Sequence, residues 1–461
     1  MTVASPTVVI VSPPGLPGTV PNREGAGGMG TQTLQPDGFR YPPQLVACVT
    51  AALRQAGMPV TAIDATAEGL DVGSALARIA SLRPDAVAAH VSWGTRNADR
   101  AFLAGLQSAW KSGRQSNERP LVVAFGPSAS HMVDDLSDAD TVLVGEPEGA
   151  LAELLQRGLC GIRLPRRVSG FDLSLPDYES NGRLASLATV PAPAWDALPI
   201  DRYAFLTIQA SRGCTGTCSW CPYVVAQGRE FRVLAVNAVI DEIARLVEGY
   251  NRQRIVFRDP VAAHDQSRLR TLCRGLLRRR DLAAGRRFVW ECESRPEHLT
   301  PGLLRLMAMA GCVAVKVGVE TLSPALLSTT GRLLPGWDAR QYKRHIEELV
   351  RAGARWGVAV RLFALVGLSG QSHDDGMDVA RFCLGLGADL VEGGLTVHVA
   401  TAYPGTTVDC DVTEDADALA REMAETVAKA GSELPTCGAR LRRRFWRVLR
   451  RAGAVVEAVR A

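Results

Sequence analysis

Three cysteines within eight residues, Cys214, Cys218 and Cys221, are the positions whose type and spacing point most directly to chemistry. Thiolates are soft ligands suited to iron–sulfur clusters and zinc. A Cys-x3-Cys-x2-Cys loop can reach three corners of a [4Fe-4S] cubane and leave the fourth iron open to a ligand from substrate. Eleven cysteines in 461 residues would produce this spacing by chance in about 1% of such chains, so the pattern favours function. A structural zinc site needs a fourth Cys or His nearby, and the nearest downstream candidates, His264 and Cys273, lack the paired spacing.

The elements around the triad decide what it can do. An apolar run, YAFLTIQAS, leads straight into RGCTGTCSWCPY, which puts the cysteines on a loop at the carboxyl end of a strand, where parallel barrels keep their chemistry. Further strand-like runs begin at Arg254, Arg287, Val313, Val358 and Ala388, making six at the spacing of βα units. Apolar stripes over Val236 to Tyr250 and Asp338 to Ala354 predict covering helices. Polar groups close two of the strands: Glu293, Ser294 and Arg295, then Glu320. Side chains of that kind at strand ends are candidates for ligand contact.

The first third of the chain repeats the same logic. TVVIVS, VTAIDA, DAVAAHVS, PLVVAFG and DTVLVGE alternate with helical patterns such as Leu45 to Gln55 and Val72 to Leu82. Continuous apolar runs are strands buried on both faces, so the expectation is an open, doubly wound (Rossmann-like) parallel sheet. Its strand ends carry Ser12, Pro13, Pro14 and Gly15; Ser92 and Trp93; Gly126 and Ser128; and Gly145 and Glu146. These are candidates for holding a large cofactor at the carboxyl edge. A dinucleotide fingerprint does not fit, because GLPGTVPNREGAGGMG is long and does not open directly into a helix. His90 lies inside an apolar run and reads as a core histidine.

Composition sets the frame. With 47% apolar residues and a net charge of +4, the chain reads as a multidomain globular protein without the field expected of a nucleic-acid binder. It shows neither a secretory leader nor a long uncharged apolar stretch, so a cytoplasmic protein without membrane contact is expected. Periodicity lapses over 161–202, which reads as a linker between residues 1–160 and a catalytic domain at 203–410; residues 411–461 read as a helical extension. An arginine-rich stretch there reads as a solvated helix face.

Cys214, Cys218 and Cys221, with Trp220 at the aromatic position before the last cysteine, resemble the signature of the radical S-adenosylmethionine superfamily. Ahead of it, Ser12 to Gly15, Val60 to Ala65, Phe125 to Ala129 and Val144 to Glu148 follow the order of the cobalamin-binding domain of class B radical methylases. TAYPGTTV resembles the closing segment of cobalamin-binding members, and LVGLSGQS resembles their G-x-P-G-E-T turn with Ser369 and Gln371 substituted. The resemblance implies a cobalamin-binding Rossmann-like domain, a partial (β/α)6 barrel and a small helical C-terminal extension. It also implies three cofactors, a 4Fe-4S cluster, S-adenosyl-L-methionine and cobalamin, with the Trp220 backbone, Gly318, Glu320, Ser294 and Arg295 near S-adenosylmethionine or substrate. No Asp-x-His-x-x-Gly motif is present, which leaves the lower cobalt ligand unassigned. The implied activity is C-methylation of an unactivated carbon in a small-molecule or peptide precursor, with a flavodoxin- or ferredoxin-type electron donor and a setting such as antibiotic biosynthesis. The alternatives are a cobalamin-dependent cyclisation or rearrangement without methyl transfer, and an iron–sulfur or cobalamin sensor or carrier.

Overall fold

The apolar runs of the first third become parallel strands in the computed structural model, which describes residues 6–24, 30–33, 39–111, 119–282, 288–387, 394–407 and 414–433. The chain divides into two units, residues 1–207 and 208–461. In the first, β1 (Val8–Ser12), β2 (Val60–Asp64), β3 (Ala86–His90), β4 (Leu121–Phe125), β5 (Thr141–Leu143) and β6 (Arg167–Val168) form one sheet in the order β2-β1-β3-β4-β5-β6. Every pairing is parallel, with Val8 in register with both Val60 and Ala86. The order reverses at β1, so the crevice beyond the carboxyl ends of β1 and β3 is the topological switch point.

Every residue of β1 and β3 is buried. Val9, Val11, Val87 and Ala89 share a core with Ile79 of helix Val72–Leu82 and with Phe102 and Leu106 of helix Arg96–Lys111. Helix Val72–Leu82 begins where the Asp71 carboxylate accepts the Ser74 N–H, and helix Gln44–Gln55 lies within one residue of the span read from sequence.

The stretch 161–202, read from sequence as a linker, is built into this unit. It supplies β6, buries Trp195 fully, and donates from Ala194 N to Ala47 O in helix Gln44–Gln55. Its turns are short 3-10 segments, which have neither of the two periodicities a sequence reading detects.

The second unit is organised around a sheet of β7 (Leu206–Ile208), β8 (Arg254–Phe257), β9 (Val289–Ser294), β10 (Cys312–Glu320), β11 (Ala359–Val366) and β12 (Leu395–Val399), lined up in chain order. Adjacent strands from β8 to β12 are parallel. Helices between them include Gln266–Leu282, Pro301–Met309 and Ala339–Trp356, the last begun by an Asp338/Gln341 capping box and ended by Gly357 in the left-handed region. The helix expected over Val236 to Tyr250 runs to Ala244 and continues as one π turn, Arg245–Gly249. Both units are thus α/β with parallel sheets, a doubly wound sheet followed by a six-stranded one, as the sequence implies. Helix Glu414–Glu433 follows; the arginine-rich stretch, Phe445 and Trp446 lie outside the described residues.

If residues 161–202 stabilise the first unit, Trp195→Ala will cost about 3–5 kcal/mol in urea-induced unfolding. It will also expose that stretch to limited proteolysis.

Candidate functional site

The cysteine loop leaves β7 through a small two-stranded ribbon, Ser211–Arg212 with Arg232–Val233. Asp259, just past β8, fixes that exit by accepting from Ala210 N at 3.0 Å and from the Ser211 hydroxyl. Burial pushes the Asp259 carboxyl up to about 6, and those hydrogen bonds and Arg268 pull against it. Within the loop, Cys214 N donates to Gly228 O at 3.1 Å and Gly216 N approaches Cys214 Sγ at 3.4 Å. Thr217 Oγ1 donates to Gly331 O at 3.1 Å, Ser219 N to Thr330 O at 3.0 Å, and Thr407 N to Ser219 O at 3.0 Å. The segment TAYPGTT, singled out in the sequence, therefore closes onto the cysteine loop.

Cys214 is buried, Cys218 and Cys221 are half-buried, and all three carry free thiols. They are near enough to act on one another: burial first, then Cys218 and Cys214, push the Cys221 thiol up to about 12. Burial also raises Cys218, against the pull of Arg332 and Arg295. Among the described residues no three His, Cys, Asp or Glu side chains close around a point as a single ion requires. A cubane instead spreads three thiolates over three separate irons, and the donor set on this loop is of that kind.

Arg295, at the end of β9, reaches the loop, with Nη1 3.4 Å from Cys218 Sγ. Its Nη2 donates to Glu297 Oε1 at 2.9 Å and to Arg332 O. Arg332 donates to Glu297 Oε1 at 3.1 Å and to Gly318 O at 2.6 Å, and Tyr342 Oη donates to the same carbonyl at 2.8 Å. Glu297 has side-chain exposure of 0% and Arg332 of 3%, so this is a buried ion triad. Burial works against Glu297's charge, but Arg332 and then Arg295 hold its carboxyl below the ordinary carboxylate range.

Glu320 ends β10 at a bulge with φ 62°, a left-handed conformation that non-glycine residues rarely take. Its carboxylate folds into the space left by the missing side chain of Gly318. Burial pushes the Glu320 carboxyl up to about 7, opposed by Arg332 and Arg295. The structure thus gathers Cys214, Cys218, Arg295, Gly318 and Glu320 into one linked neighbourhood. Ser294 is buried beside Arg295, and its hydroxyl finds no partner among the described residues. Trp220 is half-buried on the loop itself. In LVGLSGQS, Gln371 closes its own turn, accepting from Leu368 N at 3.3 Å and donating to Leu365 O at 3.0 Å.

In the first unit, the strand ends near the switch point also meet. Trp93 N donates to Ser128 Oγ at 2.8 Å, and Ser92 N to Asp99 Oδ2 at 3.0 Å. Asp99 forms a buried pair with Arg23 at 2.5 Å, and Arg23 reaches Ser12 Oγ at 3.4 Å. Trp93 Nε1 is buried with no partner among the described residues. At Gly126 (φ 156°) a Cβ would collide with Val91 O, and at Gly145 (φ 85°) with Gly182 O. Glu146 accepts from Leu184 N at 2.7 Å, so its carboxylate is used within the fold. Pro14 is buried and Gly15 packs against Thr19. His90 stacks on Phe125 in the core, 5.5 Å between centroids.

Sequence reasoning missed Glu297, Arg332, Tyr342 and Asp259. None stands out by spacing: Glu297 and Arg332 sit in short turns, and Tyr342 looks like an ordinary helix residue. A legible signal did exist in the alternating Glu291, Glu293 and Arg295 of WECESR, which an apolar strand does not need.

Comparison with known proteins follows the same lines. Residues 208–383 match the Radical SAM superfamily. The chain is 24% identical over 392 residues to an uncharacterized methyltransferase of Pyrococcus horikoshii, covering 80% of this chain and 78% of that one. It is 25% identical over 325 residues to the hopanoid C-2 methylase of Rhodopseudomonas palustris, covering 67% of this chain and 56% of the methylase. In fold it is similar to the radical S-adenosylmethionine methyltransferase TsrM of Kitasatospora setae, solved with cobalamin and a [4Fe-4S] cluster. The TM-score there is 0.64 at 18% identity, over 87% of this chain and 76% of that one.

The triad sets a pH dependence. Because Glu297's folded pKa is depressed, its contribution is fully present above its unfolded value, about 4.3, and is lost as pH falls through the lower folded value. Glu297→Gln, which leaves two buried guanidiniums without their carboxylate, should cost about 3–5 kcal/mol. It should also flatten the acid limb of a stability-versus-pH curve from chemical denaturation.

Proposed function

Because this chain belongs to the radical S-adenosylmethionine superfamily, we propose that it is a cobalamin-dependent radical S-adenosylmethionine methyltransferase acting on an unactivated carbon of a small molecule or peptide. The observation that carries this reading is the cysteine loop at the carboxyl end of β7, held by Asp259, Arg295 and the TAYPGTT segment. When bound, the cluster would supply the electron for reductive cleavage of S-adenosylmethionine, and the corrinoid would relay a methyl group drawn from a second S-adenosylmethionine. Cys214, Cys218 and Cys221 hold the cluster. Arg295 adds a positive donor beside Cys218, the kind of contact that tunes a cluster's sulfurs.

In this reading Gly318, Glu320, Ser294 and the Trp220 backbone position S-adenosylmethionine or substrate. Ser294's unused hydroxyl and Glu320's strained backbone support that assignment. Pro14, Gly15, Ser92, Trp93, Gly126 and Ser128, at the switch point of the first sheet, would hold the corrinoid. The buried, unused Trp93 Nε1 is an available donor there. Gly145 and Glu146 shape the neighbouring loop by packing on Gly182 and Leu184. Residues 1–160 carry the corrinoid, 203–410 carry the radical chemistry and 411–461 form an extension. Among the described residues no helix is long and apolar enough to cross a membrane. The proposal includes a cytoplasmic location and a flavodoxin- or ferredoxin-type reductant. Natural-product assembly, as in antibiotic biosynthesis, is the proposed setting.

Anaerobic protein reconstituted with iron, sulfide and hydroxocobalamin should release 5′-deoxyadenosine from S-adenosylmethionine on reduction. The triple variant Cys214→Ala, Cys218→Ala, Cys221→Ala should release none while still retaining corrinoid in its absorption spectrum. Methyl-labelled S-adenosylmethionine should pass its label to product; turnover without label transfer would overturn methylation in favour of rearrangement.

A further inference from the structure

Strands β9 to β12 have two unlike faces. Val315, Val317, Leu362, Ala364 and Val366 are fully buried and belong to the apolar face. The opposite face alternates with them and is half-buried: Lys316, Gly318 and Glu320 on β10, and Arg361, Phe363 and Leu365 on β11. Register aligns this second face across the sheet, pairing Glu293 with Lys316, Lys316 with Arg361, Phe363 with Thr396, and Leu365 with His398.

At the amino-terminal end of this face the charges are mutually satisfied. Glu291 receives Arg254 at 2.6 Å and Arg361 at 3.3 Å. One level nearer the cysteine loop the arrangement loosens. Lys316 Nζ has one acceptor among the described residues, Glu293 Oε1, at the long distance of 3.5 Å. An ammonium has three N–H donors, so capacity remains. Lys316 Nζ stands 6.0 Å from the Phe363 ring, and His398 meets that ring edge-on at 5.1 Å. His398 Nε2 is a buried nitrogen without a hydrogen-bond partner among the described residues. Burial and Lys316 lower the His398 pKa, keeping the ring neutral and able to donate or accept one hydrogen bond.

One face of the sheet thus brings together a cation with spare donors, a flat apolar wall and an imidazole nitrogen without a partner among the described residues. Glu293 takes one of the Lys316 donors at long range, and the other two have no acceptor among the described residues. We propose that this face is the substrate subsite, that it grips a substrate carboxylate with the Lys316 ammonium, and that Phe363 and His398 hold the adjoining planar part. The inference rests on the reading of the chain as a radical S-adenosylmethionine enzyme only in calling the ligand its substrate.

The test uses full-length protein reconstituted with cluster and corrinoid, titrated by calorimetry with 3-phenylpropionate and with its uncharged analogue 3-phenylpropionamide. The acid should bind about tenfold more tightly than the amide, as a charge-assisted contact predicts. Lys316→Met should erase that preference and Lys316→Arg should keep it, while His398→Phe should weaken both probes alike. Equal affinity for the two probes, no binding of either, or a preference that survives Lys316→Met overturns the subsite. Release of deoxyadenosine by the unmodified holoenzyme is scored separately: its failure counts against the cysteine-site reading, whereas the subsite stands or falls on probe binding.

Discussion

The constraint on which the catalytic end of the second unit depends is the burial of two guanidiniums with one carboxylate. Arg295 and Arg332 share Glu297, and further donors go to backbone carbonyls of Arg332 and Gly318 and to the neighbourhood of Cys218, while Arg295 Nε has no hydrogen-bond partner among the described residues. Taking such charges out of water costs several kcal/mol per ion, recovered only when nearly every donor is satisfied. The triad therefore admits few geometries. It ties the end of β9, the end of β10 and the turn at Arg332 to fixed relative positions, and that turn in turn holds the cysteine loop through Thr330 and Gly331. With two positive groups and one negative, it also leaves two guanidiniums acting on the Cys218 thiol. Burial alone pushes Cys218 the wrong way, and the two arginines act against it.

Much of the fold is legible in the sequence because long parallel strands buried on both faces leave continuous apolar runs, and TVVIVS, DAVAAHVS and PLVVAFG are such runs. The cysteine loop is legible because ligand spacing is local in the chain. What spacing cannot show is what arrives from elsewhere. Glu297 and Arg332 are 35 residues apart and meet only through the sheet. The residues 161–202 lack periodicity because their order comes from packing, with Trp195 and Ala194 fixed by helix Gln44–Gln55. Glu146 illustrates the converse: its position at a strand end suggested a ligand contact, yet the fold itself uses its carboxylate, on Leu184 N.

The two sheets share a topology of parallel strands but differ in what their faces can do. In the first, β1 and β3 are buried along their whole length, so the strands present only their carboxyl ends to a ligand. There backbones come close at Gly126 and Gly145, and the groups on offer are Trp93, Ser92 and Ser128. Such an edge suits a large cofactor bound from outside.

In the second sheet, β10 and β11 alternate buried apolar residues with half-buried polar ones. An alternating strand in a parallel sheet runs against the expectation of two helix-covered faces. The face that carries Lys316 also carries Arg254, Glu291, Arg361 and Glu293, an arrangement a purely structural core would fill with Val and Leu at lower cost. Charges in that position persist when they meet a polar guest or hold one another for it. The pairs nearest the amino-terminal end are already closed on Glu291, whereas Lys316 and His398, nearer the cysteine loop, retain hydrogen-bonding capacity unused among the described residues. That gradient, from satisfied to available groups across one face of the sheet, points toward the same carboxyl end where the cysteines stand.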